Sequence, residues 1–346
     1  MNISKLFLIF TLLFPALLFG QISKDTINIK NLAVHDPDIL ADSLTHTYYL
    51  YGGYSPKRPW ERIKSPHGNA GVQAYWSKDL VHWGGPKIVF EVPDNFWAGK
   101  KDAPWAPEVH YYKGKYYLFV TFNNYNKIIA KDSTRPPLTE RGSQILFSDS
   151  PLGPFKPFYN HPTLPDTMMT LDATLWVQDG QPWIIYSHEW VQVTDGRMEA
   201  MKLSDDLSKV LGKPMILFSA GEAGWTKKLL DYNGKNYPGM VTDGPYLYRT
   251  MNNKLLMIWS SWSKKRSYAL ALAHSVSGRL KGPWKLSKEP LLANDRGHGM
   301  IFKDFNGRLL LVLHKYFHMP KTRVQIYELK DTGNTIKVVK QLYGAP

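Results

Sequence analysis

Cysteine is absent from all 346 residues. That excludes disulfides and thiolate metal sites, and it closes the lipoprotein route, which needs a cysteine after the signal. Helical periodicity is also nearly absent, so the apolar residues must be read as strands. Long hydrophobic runs are missing beyond the first twenty residues, so no later segment reads as a membrane span. Runs of like charge are missing too. The formal net charge is +14, yet Lys and Arg are scattered, with short groups such as Lys264-Lys265-Arg266 as the densest. A nucleic-acid partner calls for clustered cations, so the diffuse charge reads as solubility and not as a nucleic-acid surface.

What the chain does contain is aromatic residues, 14% of the total with 12 Trp and 20 Tyr, within a hydrophobic share of 43%. Such a chain can build a large core and still present aromatic faces to flat ligands. Its start, MNISKLFLIFTLLFPALLFGQISK, has basic Lys5, an apolar run to about Phe19 and a small residue, Gly20, before polar Gln21. This is the pattern of a secretory signal, with cleavage expected near Gly20. Residues 1–20 are therefore expected to be a signal peptide and 22–346 one exported domain, periplasmic or extracellular, without a membrane span.

One hairpin pattern recurs five times: an apolar strand, a polar turn and a second apolar strand. The copies begin HDPDI at His35, APEVH at Ala106, DATLW at Asp172, DGPYL at Asp243 and HGMIF at His298. Several are followed by a strand ending near a serine and a Leu-containing turn, as in SQILFSDSPLGPF and YALALAHSVSGRLKGPW. Hairpin plus third and fourth strands makes a blade, and five blades predict an all-β, five-bladed β-propeller in a single domain. The closing strands RVQIYELK and TIKVVKQL are expected to complete the ring with the segment near Ile27–Val34.

In a propeller the first strands of all blades run alike along the axis, so their starts converge on one mouth. That places Asp36, Glu108, Asp172, Asp243 and His298 together, with His188 and Glu189 at the returning end of WIIYSHEW. Each alone has a plain structural reading: Asp36 before a proline or Asp172 could cap a turn, Glu108 could bond a backbone amide, and Trp105 and Trp190 could be core. Together, acids at one mouth repel and lose hydration unless they are paired or used. A cluster of carboxyls lined by Trp and His suits acid–base chemistry on a sugar, where two carboxyl groups flank the scissile bond. Trp105, Glu108, His188, Trp190 and His298 are the expected substrate-contacting residues.

Taken in order, HDPDI, WAPEV, DATLW, TDGPYLYR and GHGMIF resemble the motifs of glycoside hydrolase family 43. The resemblance implies a five-bladed propeller and inversion at the anomeric carbon. It also implies arabinofuranosidase-, xylosidase- or arabinanase-type activity on an oligo- or polysaccharide, by a monomer. It implies that Asp36 is the general base, that Asp172 orients the acid and tunes its pKa, and that His298 is a ligand or water-bridged partner of an axial calcium. One departure stands out: the family's general acid is a Glu before Gly-Pro, and here Asp243 holds that place, one methylene shorter. Glu189 is the alternative acid, and the sequence favours it over Asp243. A catalytically silent carbohydrate-binding propeller is the competing reading, and a protein-interaction propeller the third.

Overall fold

The computed structural model describes residues 26–265 and 267–346, so the expected signal peptide lies outside the described residues. Five antiparallel sheets succeed one another along the chain. The first blade comprises strands 38–42, 47–54, 71–77 and 82–91; the second, 105–112, 115–130, 138–148 and 156–157. The third comprises 170–178, 181–188, 197–203 and 210–219; the fourth, 243–249, 255–262, 268–275 and 284–286. The fifth comprises 296–303, 309–315, 323–331 and 336–344, joined to the fourth by a single parallel bridge between Ala269 and Arg296. This is the expected propeller. An extra hairpin, 229–232 with 235–238, stands between the third and fourth blades.

The second strands explain why the sequence shows continuous apolar runs and no clean alternation. YYLFV, WIIY, LLMIW and LLLVL are buried on both faces, because each blade packs against a neighbour on either side. Five separate apolar clusters result, one per seam. Leu118 and Val120 face the first blade while Tyr117 and Phe119 face the third. Met257 and Trp259 face the third blade while Leu256 and Ile258 face the fifth.

The fifth seam, between the last blade and the first, is closed as expected by the segment near Ile27–Val34, and the Val324 N–H donates to the Leu32 carbonyl at 3.3 Å. Ile27–Asn28 pairs with the outer strand of the first blade, through Trp83 and His82, and not with the closing strands of the fifth. Ile29, Leu32 and Val34 then lie buried between Val324 and Ile326 on one side and Leu50 and Trp83 on the other. The ring is thus sealed by an apolar segment wedged into the seam. RVQIYELK and TIKVVKQL are simply the third and fourth strands of the fifth blade.

Candidate active site

Each inner strand opens with one residue in the left-handed backbone region: Asp36 (φ 51°), Ala106 (φ 42°), Asp172 (φ 54°), Gly244 (φ 53°) and His298 (φ 47°). Non-glycine residues pay for that conformation, of order 1–3 kcal/mol each, and hold it only where their surroundings impose it. In four blades the strand register shifts across this corner. The N–H groups of three corners are tied down from neighbouring strands: Asp172 donates to Thr121 Oγ1 (2.9 Å), His298 to Ser260 Oγ (2.8 Å), and Asp36 to His314 Nδ1 (3.2 Å).

These corners correct the equivalence expected from sequence. Asp36, Asp172 and His298 occupy corresponding positions. Asp243 comes one residue before its corner, level with His35 and Trp105, while Glu108 comes two residues after its corner, level with Asp38. The offset divides the residues into two tiers. A mouth cavity of about 340 Å³ is lined by Asp36, Trp105, Asp172, Asp243, Tyr268 and His298, among others. A second cavity of about 10 Å³ lies beneath it on the axis, reached by Asp38 and Glu108 as well as by Asp36, Asp172 and His298. Glu108 belongs to this lower tier, bonded to His110 and to Thr174 Oγ1, and does not line the mouth.

Asp36 sits among three imidazoles. Its Oδ1 lies 2.7 Å from His35 Nδ1, 3.1 Å from His298 Nδ1 and 3.2 Å from His314 Nδ1. Burial alone would raise its pKa, but His298 and His35 outweigh burial and hold it well below the usual carboxylate value. Asp36 is therefore an anion at neutral pH. Burial pushes His314 down to about 3; it is neutral, and its ring stacks on His35 at 4.1 Å.

The other two mouth acids go the opposite way. Asp243 is raised well above the usual value, by burial first and then by the charge of Glu189, against a hydrogen bond from Tyr268 Oη at 2.8 Å. Gly297 makes that bond sterically feasible, because a Cβ there would stand 2.4 Å from the Tyr268 ring. Asp172 is raised too, by burial and by Asp243 and Asp36, while its Oδ2 accepts the Gly244 N–H at 3.1 Å and faces His298 Nδ1 at 3.6 Å. The three acids titrate as one coupled set, with Asp36 giving up its proton first.

Glu189 is near this set but not exposed to the cavity. It is buried and ion-paired with Arg141, whose guanidinium lies 4.3 Å above the Trp105 ring. Two expected contact residues lie elsewhere. His188 is buried in its blade, with Nδ1 3.0 Å from Glu199 and Nε2 2.9 Å from Gln192. Trp190 opens a four-residue helix and packs over Gly239, where a Cβ would approach its ring to 2.2 Å. The strand that ends at His188 turns that ring into its own blade, and the helical turn that starts at Trp190 carries the Trp190 ring away from the mouth.

The sequence reading missed His35, His314, Arg141 and Tyr268, and also Arg58 and Phe317, which line the mouth cavity. His35 had a signal, since it shares HDPDI with Asp36. The others come from second and third strands or loops, with nothing local to distinguish them.

The family model of glycosyl hydrolases family 43 matches residues 26–332. The chain belongs to glycosyl hydrolases family 43. Among solved structures, an endo-arabinase from Bacteroides thetaiotaomicron is 34% identical, with a TM-score of 0.73 over 93% of this chain and 99% of that one. An α-L-arabinofuranosidase from Lactobacillus brevis shares the family 43 fold at 18% identity, with a TM-score of 0.63 over 90% of this chain and 96% of that one. An extracellular endo-α-(1→5)-L-arabinanase of Bacillus subtilis is 22% identical over 193 residues, 54% of this chain, and the match spans about half (53%) of that relative. Of the two candidate acids, Asp243 lines the mouth cavity and Glu189 does not.

Proposed function

We propose that the protein hydrolyses glycosidic bonds with inversion, using Asp36 as general base and Asp243 as general acid, on arabinan- or xylan-type carbohydrate. One observation carries this reading. In a single cavity the His-surrounded Asp36 is held ionised, while Asp243, buried beside the Glu189 charge, is held protonated. Pairs of carboxyls driven apart in this way are the signature of acid–base division. Asp36 takes the proton of a water attacking the anomeric carbon, Asp243 protonates the departing oxygen, and Asp172, which accepts the Gly244 N–H next to Asp243, holds that acid's strand in place. This assignment reverses the preference of the sequence reading: Glu189 is ion-paired with Arg141 away from the mouth and acts on Asp243 through its charge. Trp105, stiffened by Arg141, offers a flat apolar face to a sugar ring.

Arabinan is the favoured substrate class, supported by the 34%-identical structure described as an endo-arabinase. Export is part of the same proposal. It is supported by residues 1–20 and by the Bacillus subtilis relative described as extracellular; among the described residues no helix is long and apolar enough to cross a membrane. The test is proton NMR of the first product released from arabinan, arabino-oligosaccharides and aryl xylosides. An inverted anomer is expected, with arabinan preferred. A retained anomer overturns the mechanism, and no turnover of any glycoside replaces it with a carbohydrate-binding propeller.

The axial calcium implied by the family belongs to this proposal too. The donor chemistry fits a cation, because Asp38 Oδ1 is buried without a hydrogen-bond partner beside the small axial cavity that Glu108 and His298 also line. About 10 Å³ holds one water-sized body. An ion there would be held by Asp38 and Glu108, with His298 at its edge, and would supply charge that stiffens the axis. Chelation is expected to lower the melting temperature by about 2–4 °C, restored by calcium. Unchanged melting, with no anomalous scattering on the axis at millimolar calcium, removes the ion.

A further inference from the structure

A second cavity of about 550 Å³ opens where the extra hairpin meets the fourth blade, and it is lined by Lys227, Lys228 and Lys264 together with Asp231 and Asn236. Lys228 and Lys264 are exposed and Lys227 is half-buried. None of the three is part of an ion pair among the described residues. The single lining carboxylate, Asp231, faces its own turn and accepts the Gly234 N–H at 3.3 Å. The cavity is therefore a concave cationic surface with free ammonium groups.

Its position gives the charge a use. Lys227 N–H bonds the Trp262 carbonyl at 2.8 Å, and Lys264 N–H bonds the Trp225 carbonyl at 2.9 Å, so the lysines are anchored on the strand end that carries Trp262. The Trp262 ring packs at 4.9 Å from Phe317 and 5.5 Å from Tyr268, and both of those residues line the mouth. One aromatic wall separates the two cavities. A glycan seated in the mouth would continue over that wall to reach the three lysines.

We propose that the Lys227–Lys228–Lys264 cavity binds the carboxylates of an acidic, uronate-bearing segment of the polysaccharide whose glycosidic bonds enter the mouth. This rests on the glycoside-hydrolase reading and adds to it a charged stretch of substrate remote from the bond cleaved. Exposed ammonium groups suit hydrated carboxylates spaced along a chain: attraction across water raises local concentration and on-rate, and it weakens with salt.

The experiment is retardation of the purified protein in native gels containing polygalacturonate, a linear polyuronate, with a neutral polymer and polyphosphate as comparisons. Wild type is expected to be retarded by polygalacturonate and not by the neutral polymer. The triple variant Lys227→Ser, Lys228→Ser, Lys264→Ser is expected to lose about tenfold in affinity. A triple with the same charge change at the far end of the fifth blade (Lys303→Ser, Lys330→Ser, Lys337→Ser) should keep it. Equal weakening by both triples means that net charge alone binds, and overturns the site. No retardation overturns it as well, and tighter binding of polyphosphate replaces the acidic glycan with a phosphate ligand. Hydrolysis of neutral arabino-oligosaccharide, measured separately, should be unchanged in the first triple. Failure of wild type to hydrolyse it sinks the glycosidase reading without touching the gel result.

Discussion

Asp36→Asn is expected to abolish hydrolysis of every glycoside, lowering kcat by roughly 10²–10⁴ or more. The loss should be equal for oligosaccharides and for aryl glycosides with good leaving groups, because the attacking water must shed a proton whichever group departs. Azide needs no deprotonation, so it is expected to restore turnover in this variant and to give the inverted glycosyl azide. The substitution leaves the seam intact: Asn keeps the shape, the backbone N–H to His314 Nδ1 does not involve the side chain, and the protein should still melt cooperatively. A folded Asp36→Asn protein that keeps more than a few per cent of the rate shows that the base is another residue.

The acid is separated from its neighbour by the leaving group. Asp243→Asn is expected to cut hydrolysis of natural oligosaccharides by roughly 10²–10⁴, and to spare much of the rate on a dinitrophenyl glycoside, which departs unaided. Glu189→Gln is expected to do neither. Its charge is the largest influence after burial that raises Asp243. Removing it lowers the Asp243 pKa, and Arg141, left without its partner, lowers it further. Hydrolysis of oligosaccharides requires protonated Asp243 and is lost as pH rises through that pKa, so the alkaline limb of their pH–rate profile should move toward lower pH, while the dinitrophenyl glycoside, which needs no acid, should show little of that shift. If Glu189→Gln shows the leaving-group-dependent loss and Asp243→Asn shows only a shifted limb, the two roles are exchanged.

The architecture was legible because a propeller repeats one local pattern. Five apolar hairpins with polar turns survive insertions, and doubly buried second strands such as YYLFV and LLMIW announce their burial by composition alone. Asp36, Asp172 and His298 were legible for the same reason, since each sits at the left-handed corner that opens an inner strand. The register across that corner was not. A one-residue offset moves Asp243 ahead of its corner, and a two-residue offset drops Glu108 to the axis; neither shift leaves a mark on the apolar pattern. The state of Glu189 was hidden for a different reason. Its partner Arg141 is 48 residues away on another blade, and no local spacing connects them. His188 and Trp190 looked like mouth residues because SHEW ends a strand that returns to the mouth; the His188 ring turns into its blade toward Glu199, and the helical turn that follows takes the Trp190 ring elsewhere.

The wedge of Ile29, Leu32 and Val34 in the last seam bears on how the site comes into being. Asp36 belongs to the first blade and its imidazoles His298 and His314 to the fifth, so the Asp36–His314 contact joins residues 278 positions apart. Contacts of such separation require nearly the whole chain to be ordered first, and their loop entropy places them late in folding. The other four seams join blades adjacent in sequence and need no such wait. On heating, the last seam is expected to open first, because its contacts close the longest loop, and its opening takes Asp36 away from His298 and His314. Activity is then expected to be lost at a lower temperature than the one at which circular dichroism records the loss of sheet, and coincident transitions would show that the seam opens only with the whole ring.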